Sequence, residues 1–487
     1  MRALLIIGHG STVNPDSSSP THLHADEIRR RGLYDEVACA FWKEEPSMRE
    51  IFYQLRSPEI HIVPNFISEG YFCQQILPRE LQLDGPVTVR DGRVIYYTDP
   101  VGIHPSMTRL LLKRADEVAP GVPRGETTLI IVGHGTTLNE NSTKAIEDQV
   151  ALIRDGGYGF AEVLGAYMEE PPLIAKWDEL AGSPNVVVVP FFIADGLHSY
   201  QDIPVLLGIE SEPTAALSQN EVFRHNPHHL RGKVLYYSSA IGTESLMADV
   251  ILDQIRDFKF PEPAPSPTWI APDERIPQGA FTMGQVRVVP LAGDCGWLLC
   301  HVEDVSNLDD LTLHADVAAA REIGIYDDAG VYRPIKTAPN LKRGWKLQVS
   351  SRKELRLALD FFYPAALGFW EHYAVGMLRP VHLRETLGRQ TGMYRFANTI
   401  TDDQAQALVS EWHGSTSKCA RRLMWQLDED QKLTHIPMEK QPLSSAADVP
   451  DDVVPLLSVE ACTHLVSAAR EQARANFQAA NKAGSQK

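Results

Sequence analysis

Cysteine is scarce in this sequence, with six among 487 residues, far too few for a disulfide framework. Positive charge is also in deficit. Lys and Arg number 46 against 63 Asp and Glu, a formal charge of −17. A chain of that sign offers no broad electropositive face, which sets aside DNA, RNA and an anionic membrane as main partners. Long hydrophobic runs are missing too. Stretches such as Ala3 to Ile7 and Val186 to Ile193 fall short of the roughly 20 apolar residues that span a bilayer. The N-terminus carries one Arg, then a short apolar run into a Gly-His-Gly turn, and so reads as a strand instead of a signal peptide. These absences predict a cytoplasmic protein whose cysteines are core residues, metal ligands or reactive thiols. What is present is ordinary for sizeable globular cores: 44% hydrophobic and 22% charged residues. At roughly 150 residues per domain, the length predicts about three domains.

The first half contains a duplication. ALLIIGHGSTVN from Ala3 matches TLIIVGHGTTLN from Thr128, with the histidines, His9 and His134, 125 residues apart. AFWKEEPSM from Ala40 matches AYMEEPPLI from Ala166, and IHIVPNFISEG matches VVVVPFFIADG, both at an offset of 126. VIYYTDPVG from Val94 matches VLYYSSAIG from Val234 at an offset of 140, which places about 14 extra residues of the second copy in Gly208 to Lys233. The short apolar runs read as strands buried on both faces, and helical stretches such as Ser142 to Asp155 and Glu244 to Phe258 lie between them. The pattern predicts α/β architecture: two doubly wound parallel-sheet modules, 1–124 and 125–258, facing a cleft. A Pro-rich stretch, 259–279, reads as a linker. Residues 280–375 read as a small α+β domain, with strands at Gln285 to Pro290 and Trp297 to Val302 followed by a mixed region running to Leu355 to Phe362. Residues 376–487 read as mainly helical. Thr401 with Gln404 fits a capping box opening a helix from Asp402 to His413, and Ser458 is expected to open a long helix to about Ala479.

The copies differ where chemistry would sit, outside the carboxyl ends of the strands. Copy two has His134 after its first strand, Glu169 after its second and His198 after its third. Copy one keeps His9 but has Lys43 and Phe72 at the other two positions. Two imidazoles and a carboxylate suit a divalent metal or proton transfer, which Lys and Phe cannot supply. A lone Gly-His-Gly is more often a tight turn, but three asymmetric positions point to a working copy two and a structural copy one. His225, His228 and His229 in the insertion read as a solvated loop, with metal collection as the rival reading. His22, His24 and Asp26 resemble an H-x-H motif that copy two lacks.

The segments LIIVGHGTTLN, AYMEEPP and VVVVPFFIADGLHSYQDIP resemble the CbiX-type sirohydrochlorin chelatases over roughly residues 1–257. The resemblance implies that His134 and His198 bind the incoming ion, with Glu169 as ligand or base. Glu169 stands one residue closer to the following Pro than is usual in that family, so Glu170 is its rival for the role. It further implies a tetrapyrrole substrate, whose carboxylates call for local Arg or Lys in this acidic chain.

Of the cysteines, Cys39 and Cys73 read as small buried hydrophobes of copy one. Cys295, Cys300, Cys419 and Cys462 match the ligand count of a [4Fe–4S] cluster, although not its compact spacing. Zinc, with His301, His413 and His464 nearby, and simple burial are the alternatives. Some long CbiX-type chelatases carry an iron–sulfur cluster in a C-terminal extension, and the resemblance therefore favours the cluster. The combined expectation is a chelatase inserting Co(II), with Fe(II) or Ni(II) as the other candidate ions, and monomeric because the duplication replaces a homodimer. The rival is a non-catalytic iron–sulfur redox or metal-carrier protein on a retired chelatase scaffold.

Overall fold

The computed structural model describes the chain except for residues 12–13, 136–139, 213–220, 266–267, 328, 333–340, 391, 414–421, 424–445 and 485–487. It divides into two compact units: Met1–Phe41 with Ser57–Ile270, and Trp42–Arg56 with Ala271–Lys487.

In the first unit, copy one forms a sheet from β1 (Arg2–Gly8), β2 (Glu36–Phe41), β3 (Glu59–Pro64), β4 (Val87–Arg90) and β5 (Arg93–Tyr97), in the order β2-β1-β3-β5-β4. Copy two repeats it with β6 (Thr127–Gly133), β7 (Glu162–Tyr167), β8 (Asn185–Pro190), β9 (His228–Leu230) and β10 (Lys233–Tyr237), in the order β7-β6-β8-β10-β9. Four strands of each sheet are parallel, as their continuous apolar runs require. All seven residues of β6 are buried. The edge strands β4 and β9 depart from the all-parallel expectation by pairing antiparallel with β5 and β10. The cause is local. Asp91-Gly92 and Arg231-Gly232 adopt positive φ at both residues of a two-residue loop, which folds the chain straight back without a crossover.

Helices α1 (Ser19–Arg31), α2 (Met107–Val118), α3 (Glu140–Asp155) and α4 (Met247–Asp257) pack between the copies. Helix α4 starts three residues later than expected. Ile241–Thr243 forms a 3₁₀ turn, and the buried Glu244 after it is extended and paired with Lys113 and Arg114. Leu4, Ile6 and Ile28 of copy one share one core with Leu129, Ile131, Ile153 and Ile251 of copy two. Each such burial contributes about 1.5–3 kcal/mol, so neither copy has an independent inner face.

The junction between copies is polar and specific. His24 Nε2 donates to the Gly242 carbonyl at 2.8 Å. At the equivalent position of copy two, Gln149 Nε2 donates to the His104 carbonyl at 3.3 Å. Gly242 N–H donates to the Phe192 carbonyl at 2.8 Å, and a Cβ at 242 would lie 2.0 Å from the Ile193 carbonyl oxygen. Gly102 repeats this against Phe66 and Ile67, again with 2.0 Å to the carbonyl oxygen. The linker is anchored within this unit. Trp269 N–H donates to the Gly92 carbonyl at 3.0 Å, and the Arg93 guanidinium lies 3.8 Å over the Trp269 ring.

The second unit is built on a sheet of β11 (Phe281–Met283), β12 (Val286–Pro290), β13 (Trp297–His301), β14 (Thr312–His314) and β15 (Trp345–Val349). Helices α5 (Arg352–Phe362) and α6 (Ala366–Ala374) follow it, and α7 (Asp402–His413) lies beyond. The expected capping box of α7 is present: Gln404 N–H donates to Thr401 Oγ1 at 3.2 Å, and Thr401 N–H to Gln404 Oε1 at 3.0 Å. After β16 (Arg422–Leu423) come β17 (Val453–Val454) and β18 (Leu457–Ser458). Strand β17 joins the edge of the first sheet beside β11, so the segment expected to be mainly helical completes the preceding α+β layer. Ser458 does not open the last helix. It is a strand residue paired through β18 to β16, and α8 runs from Thr463 to Gly484 with the Leu465 N–H directed at Cys462 Sγ.

Gly242→Ala is expected to lower the first thermal unfolding midpoint, because a backbone carbonyl cannot yield to the new methyl; overpacking of this kind costs about 2 kcal/mol or more. An unchanged midpoint would refute the close approach. Burial holds the His24 imidazole down at about 4, below its ordinary 6.5. The unfolded chain therefore takes up this proton first. Stability from neutral His24 is whole above about 6.5 and is lost as pH falls toward about 4. His24→Gln, copying the residue at 149, should flatten that part of the stability–pH curve, and parallel curves for the two proteins would count against it.

Candidate metal centre

His134 follows directly on β6, and the chain turns there through Gly135. The ring Nδ1 lies 3.1 Å from the Gly135 carbonyl oxygen, which leaves Nε2 facing away from the turn. From the segment after β7, Glu169 Oε1 comes within 3.7 Å of His134 Nε2. From the π-helical turn His198–Asp202 after β8, the His198 ring approaches His134 with centroids 5.0 Å apart at 75°. Phe192 flanks His198 at 5.8 Å. The structure thus brings His134, Glu169 and His198 to one sheet end.

The two glutamates have different surroundings. Glu170 Oε1 accepts a hydrogen bond from Thr143 Oγ1 at 2.5 Å, whereas the Glu169 side chain is 62% exposed and turned to His134. Among the described residues, no three His, Cys, Asp or Glu side chains stand close enough together to hold a metal ion, and His134, Glu169 and His198 are no exception. The three side chains lie side by side at an open sheet end, with His134 and Glu169 both solvent-accessible.

One partner went unrecognised in the motif reading. Asp202 Oδ2 accepts from His198 Nδ1 at 2.7 Å. Its signals were there to be used: Asp202 stands four residues after His198, and copy one has Ile76 in its place. Nearby, burial pushes the Asp195 carboxyl up to about 6, and Asp195 Oδ1 accepts from the Ala240 N–H at 2.7 Å, fastening the loop that leads to His198.

Copy one repeats the turn but not the centre. His9 Nδ1 lies 2.9 Å from the Gly10 carbonyl oxygen, and its ring packs on Phe72 at 5.6 Å, with Phe66 stacked on Phe72 at 5.1 Å. Lys43 belongs to the second compact unit, where its ammonium lies 3.8 Å over the Trp42 ring and 4.0 Å over the Tyr394 ring. Desolvation there pushes the Lys43 ammonium below its ordinary value. The H-x-H motif is dispersed along α1: His22 packs on Phe41 and His24 is buried against Gly242. In the insertion, His228 lies in β9 opposite Leu235, and burial lowers its imidazole.

The cysteines fall into different settings. Cys462 is buried at the start of α8, and its Sγ accepts from the Leu465 N–H at 3.4 Å, an environment that suits a thiolate ligand. Cys300 is buried on β13, where desolvation and Asp304 push its thiol up. Cys295 is exposed, its Sγ 3.5 Å from the Gly293 carbonyl oxygen. Cys419 lies outside the described residues, and the other three form no common metal group among them. His301, considered for zinc, uses Nδ1 to accept the Glu303 N–H.

Comparison with known families is decisive for the first unit. Residues 3–118 and 128–258 match the CbiX family model, once for each copy. The chain belongs to the CbiX family. Residues 268–374 match the DR2241 stabilising domain, and residues 375–471 match a 4Fe-4S iron-sulfur cluster binding domain. Cys419 and Cys462 lie in the latter segment, whereas Cys295 and Cys300 lie in the former. A probable sirohydrochlorin cobaltochelatase of Halobacterium salinarum is 41% identical over 279 residues, covering 54% of this chain and 93% of that protein. A sirohydrochlorin cobaltochelatase of Methanopyrus kandleri is 29% identical over 138 residues, covering 26% of this chain and 94% of its own. The crystal structure of DR2241 from Deinococcus radiodurans, a multi-domain protein with structural similarity to chelatases and two additional novel domains, superposes with a TM-score of 0.77 at 26% identity. That match covers 97% of this chain and 99% of the other. No helix among the described residues is long and apolar enough to cross a membrane.

Proposed function

We propose that this CbiX protein is a chelatase that inserts a divalent metal into sirohydrochlorin, with Co(II) as its ion and copy two as its working site. One observation carries the reading: His134, Glu169 and His198 meet at a sheet end in copy two, and copy one has lost two of the three. The relatives named as cobaltochelatases support both the substrate and the choice of Co(II).

The free macrocycle holds two inner N–H protons, and the ion arrives hydrated. Insertion forms metal–nitrogen bonds, releases the two protons and sheds the water. His134 and His198 each present a ring nitrogen to the ion, since the Nδ1 atoms are engaged by the Gly135 carbonyl and Asp202. Glu169, exposed and adjacent to His134, receives a pyrrole proton and passes it to solvent. Holding ion and ring together removes much of the entropic barrier, and base catalysis contributes a further part. Glu170, bonded to Thr143, is assigned a supporting role.

The resident cofactor proposed for residues 375–471 is an iron–sulfur cluster held in part by Cys419 and Cys462. When bound, it supplies one-electron redox chemistry or structural cross-linking. Cys462 is ready for it, buried and facing a backbone donor; Cys295 and Cys300 complete the cysteine set only if the preceding domain contributes ligands.

With sirohydrochlorin and Co(II) under anaerobic conditions, wild type should speed the visible-spectrum change above the spontaneous rate. His134→Ala and His198→Ala should each lower kcat/KM by about 100-fold or more. Rates equal to the blank for wild type would leave a scaffold protein, with the cysteine-containing segment as its active part. For the cluster, anaerobically isolated Cys462→Ser and Cys419→Ser should lose most iron and acid-labile sulfide. Equal iron in wild type and both variants would remove the cluster assignment, and loss in Cys295→Ser or Cys300→Ser would add those residues to it.

A further inference from the structure

The duplication supplies an internal comparison for each residue around the centre. Both copies carry the same π-helical turn at the same place, Phe72–Ile76 in copy one and His198–Asp202 in copy two. The backbone device is therefore independent of function. Within it, two side chains change together: His198 stands where copy one has Phe72, and Asp202 stands where copy one has the buried Ile76. The paired change coincides with a paired contact, since His198 Nδ1 and Asp202 Oδ2 are 2.7 Å apart. Both side chains are 44% exposed, so burial of a polar pair does not explain the arrangement.

A neutral imidazole has one N–H and one bare nitrogen, and either nitrogen can carry the proton. A carboxylate accepts and never donates when ionised. A carboxylate at Nδ1 therefore holds the proton on Nδ1 and leaves the Nε2 lone pair free for an ion. His134 reaches a similar state by other means. Its Nδ1 faces the Gly135 carbonyl, as that of His9 faces Gly10 in copy one. The backbone turn thus orients the first histidine in both copies, but His198 sits on a helical turn that lends it no carbonyl and needs a side-chain partner.

We infer that Asp202 is a positioning residue that fixes the tautomer and ring orientation of His198, so that Nε2 is presented to the incoming divalent ion. The inference rests on the chelatase reading for its role in the reaction, but not for the tautomer itself. Asp202 touches neither ion nor macrocycle, and it acts through His198. Copy one, with Phe72 in place of the imidazole, has no ring nitrogen to orient, and Ile76 stands where the carboxylate would be.

The test uses the full-length protein and Co(II) alone as probe, with insertion into sirohydrochlorin as a second readout. Asp202→Ile is the informative variant, because Ile76 occupies the same position of the same turn in copy one, and the turn accepts it there. Asp202→Asn keeps an acceptor for the Nδ1 proton without the charge. We expect Asp202→Ile to weaken Co(II) binding and lower kcat by about 10–100-fold, with Asp202→Asn in between. In ¹⁵N-histidine spectra, with the His198 signals identified by their absence from His198→Ala, wild type should show Nδ1 protonated and Nε2 bare. Asp202→Ile should show a mixture of tautomers. Retention of the single tautomer and of Co(II) binding in Asp202→Ile would overturn the inference. Should His198→Ala insert cobalt as well as wild type, the chelatase site is misplaced, while the spectra still decide the tautomer. If His198→Ala is inactive and Asp202→Ile is not, only the role of Asp202 falls.

Discussion

Gly242 is the point on which the second copy of the duplication depends. Its N–H binds the Phe192 carbonyl, its carbonyl receives the His24 imidazole from the other copy, and its α-carbon lies against the Ile193 carbonyl where no side chain fits. Phe192 and Ile193 begin the loop that ends at His198. The backbone leading to His198 is thereby locked to the 3₁₀ turn that follows β10 and, through that turn, to a helix of its duplicate. Asp195 completes the lock by accepting the Ala240 N–H. A loop so constrained holds His198 through backbone contacts and the Asp195 side chain.

The same constraint exists in copy one, where Gly102 meets Ile67, yet that copy carries no centre. The difference lies in side chains and in the fate of one segment. In copy two the residues after the second strand return Glu169 to His134. In copy one the corresponding residues, from Trp42 to Arg56, belong to the second compact unit. There Arg56 pairs with the almost fully buried Glu371 at 2.6 Å, Tyr53 packs edge-on to Phe369 and His372, and Lys43 lies between two aromatic rings. Glu371 also holds Arg356 at 2.6 Å, so one buried carboxylate joins this segment to α5 and α6. Removing either partner of such a group leaves a charge uncompensated, which is why it is costly to lose. The segment that could have supplied a second carboxylate for chemistry serves instead as structural cement.

Much of this was readable in the residues. The repeat, its four anchor points and the 14-residue insertion follow from identity alone, and the apolar runs announce buried parallel strands because a residue hidden on both faces must be apolar. The antiparallel edge strands were less visible, since a short hairpin and a crossover strand have similar composition; Asp91-Gly92 was the local clue. The Ser458 helix start failed because Ser serves a strand end as well as a helix cap, and pairing with a distant two-residue strand settled the choice. The α7 capping box succeeded because both its hydrogen bonds are local.

For the centre, sequence alone specified the chemistry: which copy retains two imidazoles and a carboxylate, and which has lost them. That information is carried by residue identity at matched positions, and no fold is needed to compare them. Tertiary packing decided the rest. It placed Glu169 beside His134 and gave Glu170 to Thr143, two adjacent carboxylates that composition cannot tell apart. It also gave His198 its partner and assigned residues 42–56 to the second unit. Such outcomes depend on which distant atoms arrive within about 3 Å of one another, a distance over which hydrogen bonds act and which linear order does not encode.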